Sequence, residues 1–300
     1  MITINNLTKR YSNGVVSLDG VTLNIPKGSV IGLIGTNGAG KSTLLRILSG
    51  ILREDEGEVL IEGEPVFENS YIKSRLSFVS DEGYLLNSFT LEGMAEIYAS
   101  MRENFSHEKF YRLCASMHLD PTRRINTFSK GMRRQGEVIL ALSSGTEYLF
   151  FDETFDGLDP IARENARRMI AEAVSDSNTT VILSSHNLSE IESICDSIVL
   201  IDAGHLLFQK SVEDALENTR KYQAVFESEC DADFDGSDFV QVKKSGKLIT
   251  FISQSGDECV QRIIEERYPD NPLVYLEGVS LTLEEIFSLE VEKSHLKGGF

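Results

Sequence analysis

Ser29-Val-Ile-Gly-Leu-Ile-Gly35-Thr-Asn-Gly-Ala-Gly40-Lys41-Ser42-Thr-Leu-Leu-Arg-Ile-Leu-Ser49 is the stretch that decides the fold. Its first half, Ser29 to Ile34, is short, apolar and uncharged, as a strand buried on both faces should be. Its second half sets Leu44, Leu45, Ile47 and Leu48 on one helical stripe, with Gly50 as a C-terminal stop. Between them, Gly35 to Ser42 satisfies GxxxxGK[ST] at every position. Successive backbone N–H groups at a helix N-terminus form a concave anion site, and only a Gly-rich turn wraps phosphates closely enough to use it. Gly35, Thr36, Asn37, Gly38, Ala39, Gly40, Lys41, Ser42 and Thr43 are therefore the expected nucleotide contacts. Lys41 would reach the β- and γ-phosphates, and the Ser42 hydroxyl would ligate Mg²⁺.

Working outward, further buried strands read as Tyr148–Phe151, Thr180–Leu183 and Ser197–Ile201, separated by helical patterns. That alternation predicts an α/β fold with a largely parallel sheet over about residues 1–220. Leu91 to His118 is helical in pattern without strand runs, the mark of an inserted helical subdomain lying within about residues 82–135. Past Arg220 the texture changes. Phe239 to Ile252 reads as a hairpin turning at Ser245-Gly246, Cys259 to Arg267 as an amphipathic helix, Leu273 to Leu276 as a strand and Leu283 to Leu289 as a helix. Residues 221–300 are thus expected to form a small α+β accessory domain.

Composition narrows the function. The 300 residues carry 29 Lys and Arg against 47 Asp and Glu, a net charge of −18, which argues against a broad basic face for nucleic acid. The pairs Lys9-Arg10, Arg123-Arg124, Arg133-Arg134 and Arg167-Arg168 read as solvated helix faces or loop ends. No apolar run is long enough for a membrane span, and the N-terminus does not read as a secretory signal. Cys114, Cys195, Cys230 and Cys259 are widely spaced, so four separate thiols in a reducing cytoplasm are expected.

Tyr148-Leu-Phe-Phe-Asp152-Glu153 is an apolar strand ending in two carboxylates. Asp152 at the strand tip can hold the Mg²⁺ hydration shell beside a phosphate loop, and Glu153 suits a general base for an attacking water. With these residues stand Phe128-Ser129-Lys-Gly131-Met132, Phe155-Asp-Gly-Leu-Asp159 and Ser184-Ser-His186, in that chain order with the acidic strand second. Taken together the chain resembles the ATP-binding-cassette (ABC) ATPases, over about residues 1–215. Five motifs recur in the family order: phosphate loop, signature, acidic strand, D-loop and switch histidine.

The resemblance implies a nucleotide-binding domain of the P-loop NTPase class, ATP and Mg²⁺ as cofactors, and a head-to-tail dimer with ATP between one subunit's phosphate loop and the other's signature. On it, Ser129 and Gly131 contact the γ-phosphate across the interface, and His186 fixes the γ-phosphate, Glu153 and the water. Asp159 links the two sites, although Leu-Asp-Pro also suits a helix start. Tyr11 matches the family's adenine-stacking aromatic. It further implies a separately encoded transmembrane permease, a second cassette chain identical or different, no nucleic-acid partner, and a cytoplasmic protein held at the inner membrane face.

Two departures qualify it. Lys130 and Met132 replace a Gly and a Gln of the usual signature, and Ser-Lys-Gly-Met is similar to cassettes serving drug, antibiotic and bacteriocin efflux permeases. After Leu76-Ser-Phe-Val79, where the family places a Mg²⁺-ligating Gln, stands Asp81, or Ser80 with the register moved by one. A carboxylate can ligate Mg²⁺ but adds negative charge and donates no hydrogen bond. Altered turnover rather than inactivity is the consequence expected, with a soluble or regulatory ATP-binding module of slow or no turnover as the alternative.

Overall fold

Alternating buried and exposed side chains make β1 (Ile2–Arg10) and β2 (Val16–Ile25) half-buried strands, and they pair antiparallel. All five residues of β3 (Val30–Ile34) are buried, and the phosphate loop carries the chain from its end into α1 (Lys41–Leu48). There follow β4 (Glu56–Ile61), β5 (Glu64–Pro65), α2 (Ser70–Ser74) and β6 (Leu76–Val79). Three helices come next: α3 (Leu91–Met101), α4 (His107–Ser116) and α5 (Lys130–Ser143), each with a Ser or Thr side chain as N-cap. The chain then alternates through β7 (Tyr148–Asp152), α6 (Pro160–Ser177), β8 (Thr180–Ser184), α7 (Leu188–Ile194), β9 (Ser197–Asp202) and β10 (His205–Ser211). This computed structural model describes residues 1–155, 158–217, 220–229 and 239–296.

Two sheets share the first compact unit, Met1–Lys210. The six-stranded sheet runs β10-β9-β3-β8-β7-β6, with β3 parallel to both β8 and β9, and β7 parallel to β8 and β6. The four-stranded sheet, β2-β1-β4-β5, is antiparallel, and a single core joins Ile2, Ile4 and Val59 to Leu44, Phe150 and Ile182. The sequence reading found the parallel sheet and its helices but not this second sheet. Its strands are half-exposed, so their periodicity lacks the long apolar runs that betray the central strands. Residues 91–118 hold α3 and α4 and no strand, as the pattern predicts.

The second unit begins at Ser211, and α8 (Val212–Glu217) belongs to it by packing on α10 (Leu283–Leu296). Its sheet, β12-β13-β11-β14, is built from β11 (Arg220–Phe226), β12 (Val240–Ser245), β13 (Leu248–Ser253) and β14 (Leu273–Ser280). The hairpin turns at Gly246-Lys247, one residue later than the sequence reading had it, and Gly246 supplies the positive φ of 62°. Val260 and Ile264 of α9 (Asp257–Arg267) pack with Tyr222, Phe226 and Phe251 of the sheet. Cys114, Cys195 and Cys259 are free thiols, and Cys230 lies outside the described residues.

At the N-terminal ends of β6 and β7 sits an ion cluster that fixes the sheets together. Arg75 Nε donates to Glu147 Oε1 at 2.6 Å and Nη2 to Glu147 Oε2 at 2.8 Å, a bidentate pair, while Nη2 also reaches Glu62 Oε2 of the other sheet's β4–β5 turn at 2.6 Å. Lys27 bridges the same two carboxylates. Hydrogen bonds from Arg75, together with Lys27, hold Glu62 and Glu147 down to about 2. Carboxyls with depressed folded pKa values stabilise the fold at pH above their ordinary range and lose that contribution as pH falls towards 2. Arg75→Met should therefore lower the melting temperature at neutral pH and flatten its decline between pH 5 and 2, measured by thermal unfolding across that range; parallel curves for the two proteins would contradict this.

Candidate functional site

The site forms where three adjacent strands of the parallel sheet end together. β3 releases the phosphate loop, β8 ends at Ser184 and β7 ends at Asp152, with Asp152 paired to Ser184 in the ladder. Asp152 is 1 % exposed, and its Oδ1 collects two hydroxyls: Ser184 Oγ at 2.8 Å and Ser42 Oγ at 3.1 Å. The first turn of the helix after the loop is thereby tied, through Ser42, to the strand two places away. Next in the chain, Glu153 takes a left-handed φ of 48°, and its N–H donates to Ser184 Oγ at 3.0 Å and to the Ser184 carbonyl at 3.1 Å. That bend turns the chain away from the sheet at the second carboxylate, a conformation rare for a residue with a Cβ.

Gly35, Thr36, Asn37, Gly38, Ala39 and Gly40 form the turn that joins β3 to α1, a cradle open at its centre. Lys41 is buried and its Nζ donates to the carbonyls of Gly35 at 2.8 Å and Thr36 at 3.1 Å, so the ammonium is held inside the loop curve. Gly40 caps α1 at a φ of 110°, and a Cβ there would stand 2.4 Å from the Ser17 carbonyl. The cradle opens on a cavity of about 140 Å³ lined by Asn37, Gly38, Gly40, Lys41, Ser42 and Glu153, among others. Thr43, behind it, receives Ser17 Oγ at 2.8 Å and lies 3.1 Å from the half-exposed Tyr11 hydroxyl. Thr36 Oγ1 donates to Asp202 Oδ1 at 2.8 Å, pinning the loop to the end of β9. A larger hollow, about 660 Å³, lies in the second unit beside Arg220, Asp257 and Arg262 and holds none of the motif residues.

Other predicted residues stand apart from the cradle. Ser129 is an exposed N-cap of α5, its Oγ accepting from the Met132 N–H at 3.2 Å, with Gly131 in the first turn. His186 is exposed, two residues beyond Ser184. Asp159 caps α6, accepting from the N–H groups of Ile161 and Ala162 at 3.0 and 2.9 Å, so within this chain it acts as a helix start; Asp156 and Gly157 of the same motif lie outside the described residues. Asp81 does not join Ser42 and Asp152. Its Oδ1 accepts from Arg134 at 2.7 Å, in a separate cleft of about 150 Å³ that also borders Lys130 and Arg133. Arg134 corrects the reading of Arg133-Arg134 as a solvated pair: it is 5 % exposed, because the loop after β6 covers it.

Whether these residues suit a hard divalent cation can be judged from the donors. Ser42 Oγ and Asp152 Oδ1 form an adjacent hydroxyl–carboxylate pair of the kind Mg²⁺ takes. Ser80 follows Val79, which pairs with Phe151, so it leaves β6 at the end of the sheet where Asp152 ends β7. Its Oγ is buried with no hydrogen-bond partner among the described residues. An orphaned hydroxyl there fits a metal-bound water. The donor set suits Mg²⁺.

Residues 18–156 match the ABC transporter family. The bacitracin transport ATP-binding protein BcrA of Bacillus licheniformis is 32 % identical over 227 residues, 74 % of this chain and 73 % of its own. The chain belongs to the ABC transporter ATP-binding proteins. It is thus an ABC ATPase, a family that binds ATP. The ABC transporter ATP-binding protein YtrB of Bacillus subtilis is 24 % identical over 287 residues, 96 % of this chain and 97 % of its own, so its similarity runs through the second unit as well. A solved ATP-binding subunit of an ABC transporter shares the ABC fold, with a TM-score of 0.65 at 24 % identity over 72 % of this chain and 91 % of that one. No helix among the described residues is long and apolar enough to cross a membrane.

Sequence reasoning missed Ser17, Ser184 as an Asp152 partner, Asp202 and Arg134. Hydroxyls and single carboxylates at strand ends carry no spacing signal, since the sheet order that assembles them is not written in any local window. Gly40→Ala should lower stability by about 1–3 kcal/mol from the strained φ alone and abolish ATP binding. Thermal melts with and without ATP check both parts, and an ATP-dependent rise in melting temperature in the variant would contradict the second.

Proposed function

We propose that this chain is the ATP-hydrolysing motor of an export-type ABC transporter, working as a dimer of cassettes on a separately encoded permease at the inner membrane face. The observation that carries the catalytic half is the convergence of Ser42 and Ser184 on the buried Asp152, with Glu153 lining the same cavity as Lys41. Export rests on likeness alone: BcrA is a bacitracin transport ATP-binding protein, and Ser129-Lys-Gly-Met132 resembles the signature of cassettes that serve efflux permeases.

On this reading the loop N–H groups and Lys41 bind the β- and γ-phosphates, where their charge opposes the negative charge on the transferring group. Mg²⁺, when bound, neutralises phosphate charge. Ser42 and Asp152 would hold it. Glu153 takes the proton of the attacking water, held at the strand end by its backbone bonds to Ser184. His186 orients that water and the γ-phosphate. Ser129, Gly131 and the α5 N-terminus complete the site of a second cassette, a homologous or identical chain, and Tyr11 stacks on the adenine. Asp159 relays between the two sites, and residues 221–300 form an accessory domain.

Glu153→Gln should cut the ATPase rate by roughly 10²- to 10⁴-fold while ATP still binds. Lys41→Ala should lose binding itself. Steady-state phosphate release and equilibrium titration with a fluorescent ATP analogue separate the two, and a Glu153→Gln protein that hydrolyses ATP at the wild-type rate would refute the role of Glu153.

A further inference from the structure

The sheet of the second unit has two edges, and they are treated differently. β12 ends it on one side. There Gln241, at a φ of 53°, sits in a register shift between Val240 and Lys243, and Lys243 and Lys244 are exposed. A bulge and adjacent lysines are what keep an edge strand from pairing with other chains. β14 ends the sheet on the other side, with no strand beyond it among the described residues. It reads Leu273-Val-Tyr-Leu-Glu-Gly-Val-Ser280, without lysine or proline and with Glu277 as its one charge. Its irregularity lies at the start, where the register skips Val274; Tyr275 to Ser280 pair with Val225 to Arg220 without a break. Val274, Tyr275 and Val279 are 64, 52 and 44 % exposed. An edge left long, regular and apolar is a template for another strand.

The backbone is oriented to receive one. Glu227 N–H donates to the Pro272 carbonyl on the β14 side, and Phe226 N–H to the Lys247 carbonyl on the β13 side. Alternation along β11 therefore turns Val225, and the opposed Tyr275, towards the seam between β11 and β14. Leu276, Gly278 and Ser280 consequently present their N–H and carbonyl groups outward. Leu273 and Leu276 pack against the core shared with α9, while Tyr275, Glu277 and Val279 lie on the opposite face.

Two copies of one strand paired antiparallel are related by a twofold axis, so one residue must face its own copy. Centring on Glu277 sets two carboxylates together, which is unfavourable. Centring on Leu276 sets it against itself, with Tyr275 opposite Glu277 twice, Leu273 opposite Val279 and Val274 opposite Gly278. Each carboxylate then meets a phenol, the partner that Glu277 already has in Tyr275 of its own strand.

We propose that β14 is a self-association edge: two copies of this chain pair their β14 strands antiparallel about Leu276, joining their two sheets into one without nucleotide. The complementarity of the strand with itself is what points to a second copy as the occupant. A single edge is small beside a standard interface, so the association is reversible and concentration-dependent. The pairing does not depend on the cassette-dimer reading above, but its use does: chains joined here keep their cassettes at a raised local concentration between rounds of ATP binding.

The test follows the full chain by analytical ultracentrifugation, free of nucleotide and with a chelator present, so that closure on MgATP contributes nothing. The wild-type chain should show a monomer–dimer equilibrium in the micromolar range. Tyr275→Glu sets a carboxylate opposite Glu277 at both pairs and should raise the dimer Kd roughly tenfold or more. Adding Glu277→Lys sets opposite charges at the same two pairs and should return the Kd to within about threefold of wild type. Val279→Lys, at the two ends of the seam, should weaken the dimer as well and decides if Tyr275→Glu fails to fold. Binding of a fluorescent ATP analogue at wild-type affinity shows that each variant is folded. A chain that stays monomeric into the high micromolar range overturns the inference and leaves the edge to a different partner. A dimer that Tyr275→Glu and Val279→Lys leave intact overturns it too, as does one that Glu277→Lys does not restore. MgATP added to the Glu153→Gln chain tests the cassette-dimer reading separately: dimers that form only then support that reading and refute this one.

Discussion

Everything at the nucleotide end of this molecule depends on where the Asp152 carboxylate sits. It is buried at the tip of β7, and it is tolerable there because two hydroxyls donate to it, one from β8 and one from the first turn of α1. Those bonds draw three separate chain segments to a common point. A parallel sheet brings the C-terminal ends of its strands to one edge, and a carboxylate at that edge converts the common edge into a common site. Had β7 ended in an apolar residue, Ser42 and Ser184 would have had no reason to converge.

The opposite edge of the same sheet has a different task. There the bidentate pairing of Arg75 with Glu147, joined by Glu62 and Lys27, closes the strand beginnings against the antiparallel sheet. These charges are paired with each other. Two clusters of ionisable groups on one sheet are thus distinguished by what their partners are. One closes on itself, and the other borders an opening, with Lys41 bonded to the loop carbonyls.

Much of this is legible in the sequence. The phosphate loop announces itself because each glycine is demanded by a backbone position, as Gly35 is by the Ile201 carbonyl 2.2 Å from where a Cβ would go. The parallel strands announce themselves by burial on both faces. The antiparallel sheet did not, since strands such as β4 expose half their length. Arg134 was misread for a kindred reason: in a window of sequence it is one of two adjacent arginines, and only the loop laid over it tells it from Arg133. Asp81 and Ser80 show the limit most sharply. A register ambiguity of one residue leaves the two interchangeable in the sequence, whereas in the fold Asp81 pairs with Arg134 and the Ser80 hydroxyl is buried.

Glu153, at a φ of 48°, carries a consequence for how such a chain can decay. A left-handed backbone is uncomfortable for glutamate and comfortable for glycine or asparagine. The substitutions that would silence the proposed base are therefore among those that relieve the backbone. Mutational drift at this position is pulled towards a sturdier protein that binds nucleotide without consuming it, and a glutamate found here marks a chain in which turnover has been worth the discomfort.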